Sequence, residues 1–286
     1  MPETLFDREP ELKTTAVASW FGSNRRLAAE VGKELRGCKW VGVPFAGGMS
    51  ELACIKATTI VVGDLHRHVI NLAKCIQSDE LRPILVQRLS DQPFHDDVLA
   101  EAQALCRKIE PHEIPSLDLA VAYFTACWMN RSGKAGIDDE FNGRIAVRWN
   151  AHGGDSNKRY RSSILSLSAW GEIMQRCNFY VGNAFEFLEK TQDEPDHGFY
   201  VDAPWPDDGD RYKHGFTRAD QRRLATKLAT FSKARVVVRY GDHPLIRELY
   251  PELRWRWRRL TGRTQANNAK AEVLIINGPS SAKETA

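Results

Sequence analysis

Apolar residues along the chain fall into two repeating periods. Asn24 to Leu35 sets Leu27, Val31 and Leu35 on one face of a predicted helix. Trp40 to Val43 is a short apolar strand that ends at Pro44. A glycine-rich turn and a predicted helix from Ser50 to Lys56 follow it. The β-branched run Thr58 to Val62 predicts a buried strand closed by Gly63-Asp64, and a helix over about Arg67–Ile76 comes next. Strand, glycine turn, helix, strand and acid form a βαβ unit, which demands parallel strands and a right-handed crossover.

From 78 to 163 this alternation stops. Helical patches at Asp97–Ile109 and Leu117–Met129 give way to polar, glycine-rich stretches: Arg131-Ser132-Gly133-Lys134, Asn142-Gly143 and Gly153-Gly154-Asp155. The pattern predicts an inserted, mainly helical subdomain that ends in a loop-rich basic segment. Alternation resumes after Ile164 with helix Ser166–Arg176, strand Asn178–Val181, helix Ala184–Lys190 and strand Gly198–Val201. Thr217 with Asp220 three residues on fits a capping box, opening a helix that buries Leu224, Leu228 and Phe231. Arg235 to Arg239 encloses Val236-Val237-Val238, a fully buried strand pattern. A short helix His243–Tyr250 follows. Trp255 and Trp257 then alternate with arginines in a half-buried strand, Leu253–Leu260, and Glu272–Ile276 is the last strand. The expected fold class is α/β: a Rossmann-like, mostly parallel sheet flanked by helices. Residues 14–77 and 164–277 would form the main domain, 78–163 the insertion, and 1–13 and 278–286 flexible tails.

Composition adds exclusions. The 286 residues are 42% hydrophobic and 27% charged, ordinary for a globular protein. No apolar run approaches the roughly 20 residues that cross a bilayer. Met1 to Leu12 is polar and acidic, unlike a signal peptide, so the expectation is a cytoplasmic protein. Cys38, Cys54, Cys75, Cys106, Cys127 and Cys177 form no C-x-x-C pair and have no closely spaced histidines, which predicts reduced core thiols and no metal site. Net charge is only +3, but basic residues cluster at Lys158, Arg159 and Arg161 and again at Arg254, Arg256, Arg258, Arg259 and Arg263. Such clusters fit either a local anionic partner or a solvated face.

Three motifs bear on chemistry. Pro44-Phe45-Ala46-Gly47-Gly48 follows the first strand, where glycines let the backbone approach a ligand. By itself it is an ordinary α/β turn. Asp64 ends the next strand, where an acid can accept hydrogen bonds from ribose hydroxyls or cap the following helix. Together in one βαβ unit the two favour an adenosyl ligand. The third motif is Asp202-Ala203-Pro204-Trp205, directly after an apolar strand end. The Asp202 carboxylate and the Ala203 carbonyl can accept the two hydrogens of an amino group, and Trp205 can stack on a flat base. A plain strand-to-loop exit is the alternative.

In order and spacing these motifs resemble the DNA adenine methylase (Dam) family, the D12 class of N6-adenine methyltransferases. The resemblance covers about Thr14 to Asn277. It runs through Ser19-Trp20-Phe21-Gly22-Ser23-Asn24-Arg25, Pro44 to Gly48, Asp64-Leu65-His66, Asp202 to Trp205 and Glu272 to Asn277. The sequence departs from the family with Asn24 in place of Lys, Val43 of Glu, His66 of Asn, Ala203 of Pro and Trp205 of Tyr. The resemblance implies a class I methyltransferase fold and S-adenosylmethionine as cofactor. Trp20, Gly22, Asn24, Pro44, Phe45, Ala46, Gly47, Gly48, Asp64, Asn183, Ala184 and Asp202 would bind it. Asp202, Ala203, Pro204 and Trp205 would be the catalytic set, acting on a flipped-out adenine without a metal. Double-stranded DNA would be the partner, met by the 78–163 insertion as target-recognition region with Lys158, Arg159, Arg161, Arg256 and Arg258. A monomer in a bacterial or phage setting is expected. Methylation of an RNA or protein amine, or a catalytically silent DNA-binding relative, are the rival readings.

Overall fold

A computed structural model of the chain describes residues 16–20, 27–130, 135–145, 147, 149, 155–207, 213–260 and 272–278. Its strands are β1 (Trp40–Val43), β2 (Thr59–Asp64), β3 (Cys177–Val181), β4 (His197–Val201), β5 (Arg235–Gly241), β6 (Trp255–Arg259) and β7 (Glu272–Asn277). They form one sheet in the order β3-β2-β1-β4-β5-β7-β6. β1 pairs in parallel with β2 and β4, and the β2–β3 and β4–β5 pairs are also parallel. β7 pairs antiparallel with both β5 and β6. The sheet is the mostly parallel one that the βαβ patterning demands, and its strand order is that of a class I methyltransferase.

Period-two alternation decides which helices cover which face. Val41, Val43, Ile60, Val62, Tyr200, Val237, Leu274 and Ile276 enter one core cluster. Phe199, Val201, Val236, Val238, Tyr240, Val273 and Ile275 enter the other. The first face is covered by α1 (Ala28–Glu34), α2 (Arg67–Gln77) and the segment between β2 and β3. That segment holds α3 (Leu81–Asp91), α4 (Asp96–Lys108), α5 (Leu117–Met129), α6 (Ser156–Leu165) and α7 (Leu167–Met174). The second face takes α8 (Ala184–Glu189), α9 (Arg218–Leu228) and α10 (Pro244–Leu249). α5 is buried almost all round, and its Tyr123, Phe124, Trp128 and Met129 share a cluster with β1 and β2. The helices of 78–163 thus extend the first-face core. The boundary expected after 163 falls inside α6.

Several expectations need correction. The helix expected over Ser50–Lys56 is one turn of 3-10 helix, Ser50–Ala53. The Cys54 carbonyl lies so close to α1 that a Cβ on Gly32 would come within 2.2 Å of it. The helix expected over Ser166–Arg176 is present as α7; it is broken from α6 at Ser166, whose hydroxyl donates back to the Ser163 carbonyl at 2.8 Å. Lys158, Arg159 and Arg161 stand on α6 and not in a loop, because Asp155 caps that helix by accepting from the Lys158 amide at 3.1 Å. α3 was not expected. It buries only Leu85 and Leu89 and carries Pro83 in its first turn, where a missing N–H costs nothing. The Thr217–Asp220 capping box is present at the start of α9. All six cysteines are free thiols, four of them buried. Residues 1–13, 279–286, Gly22, Asn24, Arg131 to Lys134 and Arg263 lie outside the described residues.

Candidate active site

β1, β2, β4 and β5 all end at one edge of the sheet, and strand order reverses between β1 and β4. Ligands of open α/β sheets bind in the crevice at such a reversal. The turn after β1 is held there by its backbone: Ala46 N–H donates to the Gly63 carbonyl at 2.9 Å, and Gly47 N–H to Asp64 Oδ2 at 3.0 Å. Val17 N–H reaches the Gly48 carbonyl at 3.0 Å. Gly47 has φ 48°, and a Cβ there would stand 3.2 Å from Nε1 of Trp20, whose indole lies on the turn. Asp64 Oδ1 accepts from His66 N–H at 2.8 Å, so this carboxylate ties the turn to the entrance of α2. Each of its oxygens retains a second lone pair. Pro44 is buried and Phe45 half-buried. Phe45 meets Phe216 edge-on at 5.6 Å, and Phe216 stacks on Phe185 at 6.1 Å. Asn183 Oδ1 accepts from Phe185 N–H at 2.8 Å and so caps α8, beside buried Ala184.

Across the reversal, Asp202, Ala203, Pro204 and Trp205 leave β4 without regular structure. Val201 is in register with Val238, which sets Asp202 opposite Arg239. Nη1 of Arg239 lies 2.7 Å from Asp202 Oδ2, and the Tyr200 hydroxyl donates to the same oxygen at 3.3 Å. Nε and Nη2 of Arg239 reach Glu272 Oε2 at 3.3 and 3.1 Å. The Arg239 guanidinium also lies 5.5 Å from the Trp205 ring. Burial opposes this charge, but Asp202, Tyr200, Glu272 and Glu51 together hold Arg239 well above the ordinary guanidinium range. Glu51, just after the glycine turn, is pushed up by burial and by the Asp202 charge. Further along the loop, Gln221 Nε2 donates to the Pro204 carbonyl at 2.6 Å. Asp207, with φ 68°, meets His243 at 2.9 Å and Arg218 at 3.2 Å. The segment from Asp202 to Asp207 is thus gripped at three points.

The profile of the D12 class N6 adenine-specific DNA methyltransferases matches residues 20–261. The chain belongs to that family. The match takes in the glycine turn, Asp64, the helices between β2 and β3 and the Asp202 loop, and it makes the chain a DNA adenine methyltransferase. No curated protein matches it.

In this D12 methyltransferase a buried contact joins the segment after α5 to the head of α2, beside the glycine turn. His66 Nε2 lies 2.7 Å from Glu140 Oε1, and Gly136 N–H donates to Glu140 Oε2 at 2.9 Å. Trp20 stands edge-on to His66 at 5.5 Å. Lys213, beyond the Asp202 loop, lies 3.9 Å from Glu140 and donates its backbone N–H to the Gly136 carbonyl at 3.1 Å.

The five basic residues expected at DNA have different surroundings. Lys158 and Arg256 are exposed. Arg159 donates to the Asn130 carbonyl at 2.8 Å, and Arg161 to the Ser90 and Gln92 carbonyls at 2.7 and 2.8 Å. Arg258 pairs with Glu30 and Glu34 and so ties β6 to α1, its charge matched inside the protein. Sequence reasoning missed Arg239, Gln221, Glu51, Glu140 and Phe216. A visible signal existed for one of them. Arg239 closes an apolar strand and Glu272 opens another, as two strands pairing in opposite directions with their charges at one end would require. Among the described residues, no group of His, Cys, Asp and Glu could hold a metal ion, and no helix is long and apolar enough to cross a membrane.

Proposed function

We propose that this D12 methyltransferase transfers the methyl group of S-adenosylmethionine to N6 of an adenine swung out of duplex DNA. The observation that carries the reading is Asp202 at the end of β4, across the strand-order reversal from the glycine turn and Asp64. The donor, when bound, supplies an electrophilic methyl group. The residues at the reversal suit it. Asp64 has lone pairs for ribose hydroxyls, the 44–48 turn brings backbone close, and Asn183 with Ala184 stands at the head of α8. By family resemblance Trp20 belongs to the same cofactor-binding set.

The N6 amine is a poor nucleophile because its lone pair is delocalised into the ring. Asp202 and the Ala203 carbonyl accept its two hydrogens and localise that pair on nitrogen. Trp205 stacks on the extruded base, offsetting part of the few kcal/mol that unstacking costs. Residues 78–163 serve as the target-recognition region, and exposed Lys158 and Arg256 meet phosphates.

The test is incubation of the protein with methyl-labelled S-adenosylmethionine and mixed-sequence duplex DNA, followed by digestion to nucleosides. Label in N6-methyladenine, abolished in Asp202→Asn, is the expected result. Label in RNA or protein alone overturns the reading. Sequencing of DNA from cells expressing the protein would then report the methylated sequence.

A further inference from the structure

We infer that Arg239 is a positioning residue for the methyl transfer: it pins Asp202 by Oδ2 and turns Oδ1 toward the amino group of the base. The inference rests on the proposed role of Asp202.

Asp202 lies one residue past the end of β4, in a segment with no regular structure, so nothing in its own backbone holds the carboxylate. What holds it comes from the neighbouring strand. Arg239, Tyr200, Asp202 and Glu272 all project from the first face of the sheet, because each stands an even number of residues from a first-face apolar side chain: Val237, Tyr200 itself and Leu274. The guanidinium is anchored on its other edge by Glu272, through Nε and Nη2. Its plane is therefore set before Asp202 docks on Nη1.

The asymmetry of the contact gives the assignment its content. Among the described residues, Arg239 and Tyr200 both bind Oδ2, and Oδ1 receives no donor. A carboxylate with one oxygen pinned and the other open offers a single direction of acceptance. An N–H···O acceptor has to lie in one direction for a nitrogen lone pair to face an electrophile.

Stability alone does not account for this arginine. An arginine 2% exposed, directly after three buried valines, carries a desolvation cost that buried pairing seldom more than repays, and apolar replacement of such clusters is often neutral. A lysine would keep the charge but not the fork that spans two carboxylates.

Arg239→Lys and the double variant Arg239→Met/Glu272→Gln test this. The double variant removes the buried partner charge that a single change would strand. Each is measured beside Asp202→Asn for kcat, for KM toward S-adenosylmethionine and mixed-sequence duplex DNA, for S-adenosylmethionine binding by calorimetry, and for thermal melting. The expected result is a double variant that melts cooperatively and binds S-adenosylmethionine as the parent does, with kcat about 100-fold lower, the loss that a misplaced reacting group produces. Arg239→Lys should recover part of kcat, and it carries the test if the double variant does not fold. Parental kcat in either folded variant, or a rise in KM with kcat unchanged, overturns the inference while an inactive Asp202→Asn leaves the proposed function standing. An active Asp202→Asn removes both.

Discussion

The side-chain amide of Gln221 donates to the carbonyl of Pro204 at 2.6 Å, while its oxygen accepts from the Tyr240 hydroxyl at 2.5 Å. Gln221 is 1% exposed, on the first turn of α9 that the Thr217–Asp220 box positions. A carbonyl in the half-buried candidate catalytic loop therefore depends on a helix that starts some dozen residues later. Gln221→Leu removes the donor to Pro204 and strands the buried Tyr240 hydroxyl, which should cost about 1–3 kcal/mol, the penalty of an unsatisfied buried polar group. Urea denaturation checks that figure. Methyl transfer should fall as well, since the 202–205 backbone loses one of its grips. Tyr240→Phe, which deletes only the outer bond, should cost less on both counts.

Trp205 is half-buried, with the Arg239 guanidinium 5.5 Å from its ring, and is the aromatic surface that a flat base would meet beside Asp202. Trp205→Ala should lower kcat/KM for duplex DNA by about 10–100-fold, since base–aromatic stacking contributes about 1–3 kcal/mol. Trp205→Tyr keeps a flat face and should lose much less. Equal activity of the alanine and tyrosine variants would show that no base stacks there.

His68 sets an acid limit on the fold. It is 1% exposed, stacks on Tyr123 at 5.4 Å, and its Nε2 faces the Cys106 carbonyl at 3.2 Å. Burial, then the neighbouring His66, push it down to about 4, with Glu140 opposing. An unfolded histidine titrates near ~6.5. Between those values the unfolded chain takes up a proton that the folded one refuses, so stability falls as pH drops from about 6.5 to about 4, by about 3 kcal/mol in all. Thermal melting against pH should show that slope, and His68→Gln, which can still donate to the carbonyl, should flatten it. Parallel curves for the two proteins would count against it.

Lys158 and Arg258 should part company at DNA. Lys158 is exposed on α6, whereas Arg258 is matched by Glu30 and Glu34. Lys158→Ala should reduce the salt dependence of duplex binding by about 0.9 in slope, one phosphate contact. Arg258→Met should leave that slope alone and lower the melting temperature, because buried Glu34 loses an arginine partner. The opposite pattern would place β6 at the DNA.

Much of this protein was legible in its sequence because much of it is local. Apolar periods located β1, β2, β4 and β5 to within a residue or two. Thr217 and Asp220 announced the start of α9. The spacing of Pro44–Gly48, Asp64 and Asp202 placed three motifs at three strand ends, which a parallel sheet must bring to one edge. The misreadings were local conflicts that pattern alone does not resolve. Asp155 caps α6 and so makes a helix of basic residues that looked like loop, and the helix expected over Ser50–Lys56 is a single 3-10 turn.

What composition and period determined, then, was the order of elements, the α/β class and the edge at which chemistry gathers. Tertiary structure alone decided which side chains answer one another there. Arg239 meets Asp202 across 37 residues, His66 meets Glu140 across 74 and Arg258 meets Glu34 across 224. The reason is physical. Helix and strand periods come from short-range backbone geometry that each segment carries with it. Partners for buried charges are chosen by strand register and packing, which exist only once the sheet has formed.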